Sequence, residues 1–100
     1  MYYFIDDIRP NPNPDKYNKF KSVEEAIKMM SLLKPIYIST DYDLGPEKMD
    51  GLDLLKWIHE NNKYPKELNI HSDHPTGVKE MLKYIEENFP EDIIVTRNRI

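Results

Sequence analysis

Short continuous apolar runs alternate along this chain with stretches in which apolar residues recur at helical spacing, the pattern of strands alternating with amphipathic helices. Tyr2 to Ile5 reads as the first strand and runs straight into Asp6-Asp7-Ile8-Arg9-Pro10. A crossover helix is due next, but Pro10-Asn-Pro-Asn-Pro-Asp-Lys16 cannot supply one, because its prolines remove backbone donors and push their predecessors toward extended geometry. Tyr17 to Lys21 fits a short edge strand. Ser22-Val-Glu-Glu25 is a capping box, and Val23, Ala26, Ile27, Met30 and Leu33 then follow helical spacing until Lys34-Pro35. The run opening at Ile36 is a buried strand that closes on two acids, Asp41 and Asp43, before Gly45-Pro46.

The second half repeats the scheme. A helix from Asp50 or Gly51 to Asn62 buries Leu52, Leu54, Leu55, Trp57 and Ile58, and Tyr64-Pro65 breaks it. Glu67 to Ser72 is a strand ending in His71-Ser-Asp-His-Pro-Thr-Gly77. A third helix starts near Thr76, packs Val78, Met81, Leu82, Ile85 and Phe89, and stops before Pro90. Ile93 to Thr96 is the last strand, followed by the basic tail Arg97-Asn-Arg-Ile100. This order predicts one α/β domain with a mainly parallel sheet of four or five strands and about three helices. The first crossover helix is replaced by the proline-rich loop.

Composition narrows the function classes. The net charge is −4, with nine acids and seven bases in each half of the chain, so no basic face for bulk nucleic-acid binding is expected. No apolar run approaches the ~20 residues of a membrane span, and the N-terminus reaches acids too early for a signal peptide. The absence of cysteine excludes disulfides and thiolate chemistry. The cytoplasm is the expected location.

Three strand ends carry polar groups: Asp6 and Asp7, then Asp41 and Asp43, then His71 and Ser72. They are each about one βαβ unit apart, roughly 30 residues, so parallel strands would gather them at one rim, where open α/β sheets bind ligands. Clustered carboxylates must protonate in part, spread into water or hold a cation. Oxygen ligands favour Mg²⁺, Mn²⁺ or Ca²⁺, and a nearby imidazole widens the choice toward Zn²⁺. Taken singly, each acid is explained as well by helix capping or a solvated loop. Their recurrence at successive strand ends is what points to a site. His71 is a candidate acid–base group or metal ligand, or simply a strand-end residue bonded to backbone. Thr76-Gly77, at a helix start, offers N–H groups to a phosphate, with capping as the plainer role for Thr76. Arg9, Arg97 and Arg99 are candidate anion contacts. Tyr42, between the two site acids, is the tyrosine placed to meet a ligand.

In order along the chain, Ile5-Asp-Asp-Ile-Arg-Pro10, Ser39-Thr-Asp-Tyr-Asp-Leu-Gly45, Asp50-Gly-Leu-Asp-Leu-Leu-Lys-Trp57 and Ile70-His-Ser-Asp-His-Pro-Thr-Gly77 resemble the motifs of response-regulator receiver domains, and more closely the cyclic-phosphate processing receiver domain family. The resemblance implies a flavodoxin-like fold in which Asp6, Asp7 and Asp41, with the Asp43 carbonyl, bind Mg²⁺ or Mn²⁺. It makes Asp41 the group that accepts phosphate in receivers and Ser72 the hydroxyl at the next strand end. The receiver lysine after the last strand is missing, with Arg97 nearest to its place, and His74 stands where asparagine is usual. The expectation is metal-dependent hydrolysis of a cyclic or terminal phosphate on a small nucleotide-like ligand. Asp41, His71 and Ser72 would be catalytic, and Arg9, His74, Thr76 and Gly77 would hold the ligand. Two alternatives stand beside it: capture of such a ligand without cleavage, as a homodimer in one version, or a receiver phosphorylated on Asp41.

Overall fold

The computed structural model describes residues 1–99; Ile100, the end of the basic tail, lies outside the described residues. Five strands, Tyr2–Ile5 (β1), Asn18–Phe20 (β2), Tyr37–Thr40 (β3), Glu67–Ile70 (β4) and Ile94–Arg97 (β5), form one sheet in the order β2-β1-β3-β4-β5, and every pairing is parallel. This is the flavodoxin-like order, whose switch point lies between β1 and β3. The helices are Val23–Met30 (α1), Gly51–Glu60 (α2) and Pro75–Asn88 (α3). The Pro10 to Lys16 segment is a loop, as its prolines dictate. It is held by Asn13, whose carbonyl accepts the Lys16 and Tyr17 amides, and by Asn11, whose side chain bonds the Tyr17 carbonyl and the Asn13 amide. No described helix is long and apolar enough to cross a membrane.

Strand alternation and register sort the side chains into two faces. Tyr3, Ile38 and Leu68 share one row across the sheet, and Ile5 and Ile70 lie in the next row on the same side. These residues pack with Val23, Ala26 and Met30 of α1, Leu54, Leu55 and Ile58 of α2, and Val78, Met81 and Ile85 of α3 in a single buried core. The opposite face carries the row Phe4, Ser39, Asn69 and Thr96, and a cluster of tyrosines covers part of it. Tyr2 stacks on Tyr37 at 5.5 Å and Tyr17 from the proline loop lies 5.7 Å from Tyr37. The Lys16 ammonium sits over the Tyr2 and Tyr17 rings. Beyond β5 the chain turns through Asn98, at φ 55°, and the Tyr37 hydroxyl donates to the Arg99 carbonyl at 3.3 Å.

The helices depart from expectation at their ends. Ser22 caps α1 by accepting the Glu25 amide at 3.1 Å, but α1 stops at Met30 instead of running on through Leu33. The Ser31 hydroxyl takes the Ile27 carbonyl at 2.9 Å, and the chain must extend into Pro35, so Leu33 is 53% exposed. The reciprocal capping box forms instead on α2, between Asp50 and Asp53. On α3 the cap is His74, whose Nδ1 accepts the Gly77 amide at 2.9 Å. Thr76 is an exposed first-turn residue and not the cap. Leu82, expected in the core, lies at its margin on the solvent side of α3.

The start of α2 abuts the rim. The Gly51 amide donates to the Tyr42 carbonyl at 2.8 Å, and a Cβ at Gly51 would lie 2.6 Å from the Asp41 carbonyl oxygen and 2.8 Å from Met81 Cε. Gly51→Ala is therefore expected to destabilise the fold by about 1–3 kcal/mol, the usual cost of overpacking. Urea unfolding checks this, and a midpoint equal to that of the unmodified protein would refute it.

Candidate functional site

The main-chain ladder continues one residue past each strand. The Asp6 amide bonds the Phe20 carbonyl, Asp41 the Ile5 carbonyl, and His71 the Thr40 carbonyl. The first polar residue after β1, β3 and β4 is thus fixed as firmly as the strands themselves. Carboxylate oxygens of Asp6, Asp7 and Asp41 consequently lie within 4.8 Å of one another at the switch point. That span matches the diameter of one cation's oxygen shell, about 4–5 Å.

The three acids are held differently. Asp6 is fully buried; its Oδ1 accepts the Ile8 and Arg9 amides, both at 2.8 Å, and its Oδ2 accepts from His71 Nε2 at 3.0 Å. Asp7 has a buried Oδ1 with no hydrogen-bond partner. Asp41 accepts the Tyr42 amide at 2.7 Å. Partial burial pushes the Asp41 carboxyl above the usual carboxylate range, and the charge of Asp6 adds to this, while Ser72 and the Tyr42 amide oppose it. An orphaned buried oxygen beside two further carboxylates, one of them resisting ionisation, is a donor set that a hard divalent cation would satisfy. Asp43 is exposed and lies outside this cluster, with its Oδ1 accepting the Gly45 amide at 3.1 Å.

His71 occupies a different place from the rim position expected of an acid–base group. It is fully buried, stacked on Phe4 at 4.6 Å, with Nε2 on Asp6 and Nδ1 on Ser39 Oγ at 2.6 Å. Burial pushes its pKa below the ordinary imidazole range, although Asp6 pulls it upward. The reason is register: β4 alternation turns His71 onto the Phe4 side of the sheet and away from solvent. Gly77 is likewise not a free donor. Its amide is taken by His74, and a Cβ there would fall 2.3 Å from the Tyr42 ring. The ring also lies 4.7 Å from that of His74, so Tyr42 is wedged against the start of α3.

Around the acids lie two shallow hollows. One, of about 280 Å³, is lined by Ile8, Arg9, Asp41, Asp43, Ser72, Asp73 and His74; the other, of about 450 Å³, by Asp7, Ile8, Asp43, Gly45 and Pro46. They adjoin at Ile8, which is 84% exposed. A slightly larger hollow of about 490 Å³ sits at the amino ends of β4 and β5, near Lys34 and Tyr64, and among the described residues holds no carboxylate cluster, so chemistry rather than size selects the rim. Arg9 crosses the smaller hollow to Asp73 at 3.3 Å, and Arg97 donates to the Ser72 carbonyl at 3.4 Å. Arg99 contributes main-chain bonds on the tyrosine side of the sheet. Sequence reasoning missed Ile8, Asp73, Ser39 and Asn69. The last two were signalled as polar residues inside otherwise apolar strands, where burial demands a partner.

Because the Asp41 pKa is raised, its contribution to stability is full below the ordinary carboxylate value and is lost as pH rises through the higher folded-state value. Asp41→Asn, which keeps the oxygen facing the Tyr42 amide, is expected to melt above the unmodified metal-free protein at pH 7. The advantage should shrink below about pH 4. Thermal melts at the two pH values decide it, and a lower melting temperature for the variant at pH 7 would count against the assignment.

The family model described as Cyclic-phosphate processing Receiver domain matches residues 1–87, which takes in every element except the end of α3 and β5. No curated protein and no solved structure matches the chain.

Proposed function

The chain belongs to the cyclic-phosphate processing receiver domain family, and from that premise we propose that its rim takes a divalent cation, Mg²⁺ or Mn²⁺, and hydrolyses a cyclic or terminal phosphate of a small nucleotide-like ligand. The observation that carries this reading is the triad Asp6, Asp7 and Asp41 with its unpartnered buried Asp7 oxygen. These three would hold the cation, with the Asp43 carbonyl as the family resemblance implies. A bound cation supplies Lewis acidity toward the phosphoryl group.

The remaining roles belong to the chain. Arg9, released from Asp73, is the cation of the smaller hollow that can neutralise phosphate oxygens. Ser72 lines the same hollow beside Asp41. His74 accepts the Gly77 amide at Nδ1, which leaves Nε2 to donate a hydrogen bond to a phosphate oxygen. Pro75 has no N–H and the Gly77 N–H is occupied, so the start of α3 contributes less to anion binding than a bare helix end would. Ile8 offers an apolar contact between the two hollows.

A second reading has its own observation. His71 has both ring nitrogens engaged and none free for proton transfer, and this favours capture of the phosphorylated ligand without cleavage. Incubation with 2′,3′-cyclic phosphates and cyclic mono- and dinucleotides, with Mg²⁺ or Mn²⁺, followed by mass spectrometry separates the two. Hydrolysis predicts a metal-dependent product that falls by about 10²–10³-fold in Asp41→Asn, the scale of removing one electrostatic group from a transition state. Ligand recovered intact with a raised melting temperature would overturn hydrolysis in favour of capture.

A further inference from the structure

A chain of buried side chains runs across the sheet from β5 to the rim. The Thr96 hydroxyl donates to Asn69 Oδ1 at 2.8 Å, and the Arg99 amide reaches the same oxygen at 3.1 Å. Asn69 Nδ2 donates to Ser39 Oγ at 2.9 Å, Ser39 Oγ meets His71 Nδ1 at 2.6 Å, and His71 Nε2 meets Asp6 Oδ2 at 3.0 Å. Asn69, Ser39, His71 and Asp6 are all completely buried. The order follows from the register, which places Phe4, Ser39, Asn69 and Thr96 in one lateral row and sets His71 and Asp6 one step further along their strands on the same face.

The direction of every bond follows from donor counting. Two donors on Asn69 Oδ1 fix which end of its amide is the carbonyl, so the amine must face Ser39. Ser39 Oγ, already accepting there, has one proton, and the partner in line for it is His71 Nδ1. With Nδ1 accepting from Ser39, the ring carries its proton on Nε2 and points it at Asp6. The Ile8 and Arg9 amides fix the other Asp6 oxygen independently. Ser39, His71 and Asp6 have the composition of a nucleophilic triad. However, Ser39 is fully buried and lines neither rim hollow, so no substrate reaches it.

We propose that Ser39 and Asn69 are positioning residues of the rim: through this one-way chain they hold His71 as the Nε2–H tautomer and so set the orientation of Asp6 toward the cation. The inference rests on the reading of the rim as a cation site, and it adds two residues that lie outside both rim hollows. Groups behind a ligand govern its affinity because they fix its geometry, and their loss costs a metal site about 10–100-fold.

The test combines Mn²⁺ titration of the metal-free full chain by calorimetry with ¹⁵N NMR of the histidine rings. In the unmodified protein His71 is expected as the Nε2–H tautomer. Ser39→Ala should weaken Mn²⁺ binding by about 10-fold, and Ser39→Thr, which restores the hydroxyl, should recover most of that loss. A folded Ser39→Ala protein with undiminished Mn²⁺ affinity would overturn the proposal, as would a His71 ring protonated on Nδ1 in the unmodified protein. If Ser39→Ala does not fold, the NMR of the unmodified protein and the Ser39→Thr titration still decide, since a tenfold loss in Ser39→Thr with the Nε2–H tautomer retained contradicts the chain. Failure of the unmodified protein to bind Mn²⁺, with the tautomer as expected, overturns the cation site, and with it the role toward a cation, while the hydrogen-bond chain itself stands.

Discussion

A carboxylate with no access to water has to be surrounded by donors, and Asp6 is the group whose burial the rest of the rim satisfies. Two amides come from the turn that follows β1, which is why the chain bends sharply at Ile8 and Arg9 instead of continuing as a strand. The third donor is His71, from a strand two positions away in the sheet. A neutral imidazole can serve only if its other nitrogen finds a donor, and that requirement passes to Ser39 and then to Asn69. One buried charge thus explains a turn, a tautomer and two polar residues in the middle of apolar strands. It also accounts for His71 standing behind the site and not in it.

The sheet is dressed unequally, and the inequality is what permits this arrangement. Helices α1, α2 and α3 contribute to one apolar core together with Tyr3, Ile5, Ile38, Leu68 and Ile70. The other face has lost its crossover helix to the proline loop, and tyrosines and the segment after β5 lie against it instead. A helix packed there would need apolar partners at Ser39 and Asn69. A loop and a main-chain amide tolerate polar ones, because the Arg99 amide can itself complete the network. Tyr37 records how closed this face has become: burial, with Tyr17 adding to it, pushes its phenol up to about 12.

Much of this was legible in the sequence. The alternation of apolar runs with helical spacing gave the strands and helices in order, because core burial imposes those periods directly. The gathering of Asp6, Asp7 and Asp41 followed from parallel strands alone. The orientation of His71 was not legible. Whether a residue just past a strand points into solvent or under the sheet depends on register, and no local signal encodes register across three strands. The cap of α3 was missed for a different reason. Histidine is an uncommon cap, so Thr76 drew the expectation that belonged to His74. Leu33 was misplaced because helical spacing continues past the point where Ser31 and Pro35 end the helix. The His71 miss came from a contact across strands, whereas the two helix-end misses came from local competition for backbone groups by Ser31 and His74.

The electrostatics of the rim follow an order of events. Three carboxylates lie together, and two arginines beside them are already engaged. Arg9 spans from the Asp6 side to Asp73, and Arg97, near the place of the receiver lysine, is bound to the Ser72 carbonyl. An anion approaching this surface meets net repulsion, since the partners that could attract it are paired with protein acceptors. A divalent cation meets the opposite, because Asp7 has an oxygen without a partner and Asp41 resists ionising alone. A bound cation would offset most of that negative charge and so reduce the repulsion toward a phosphate. On the proposed function a phosphate would then draw Arg9 from the exposed Asp73, a pair that solvent leaves weak. On that same proposed function the rim would be occupied in sequence, metal before phosphate, and the buried chain behind Asp6 would bear on the first of those two steps.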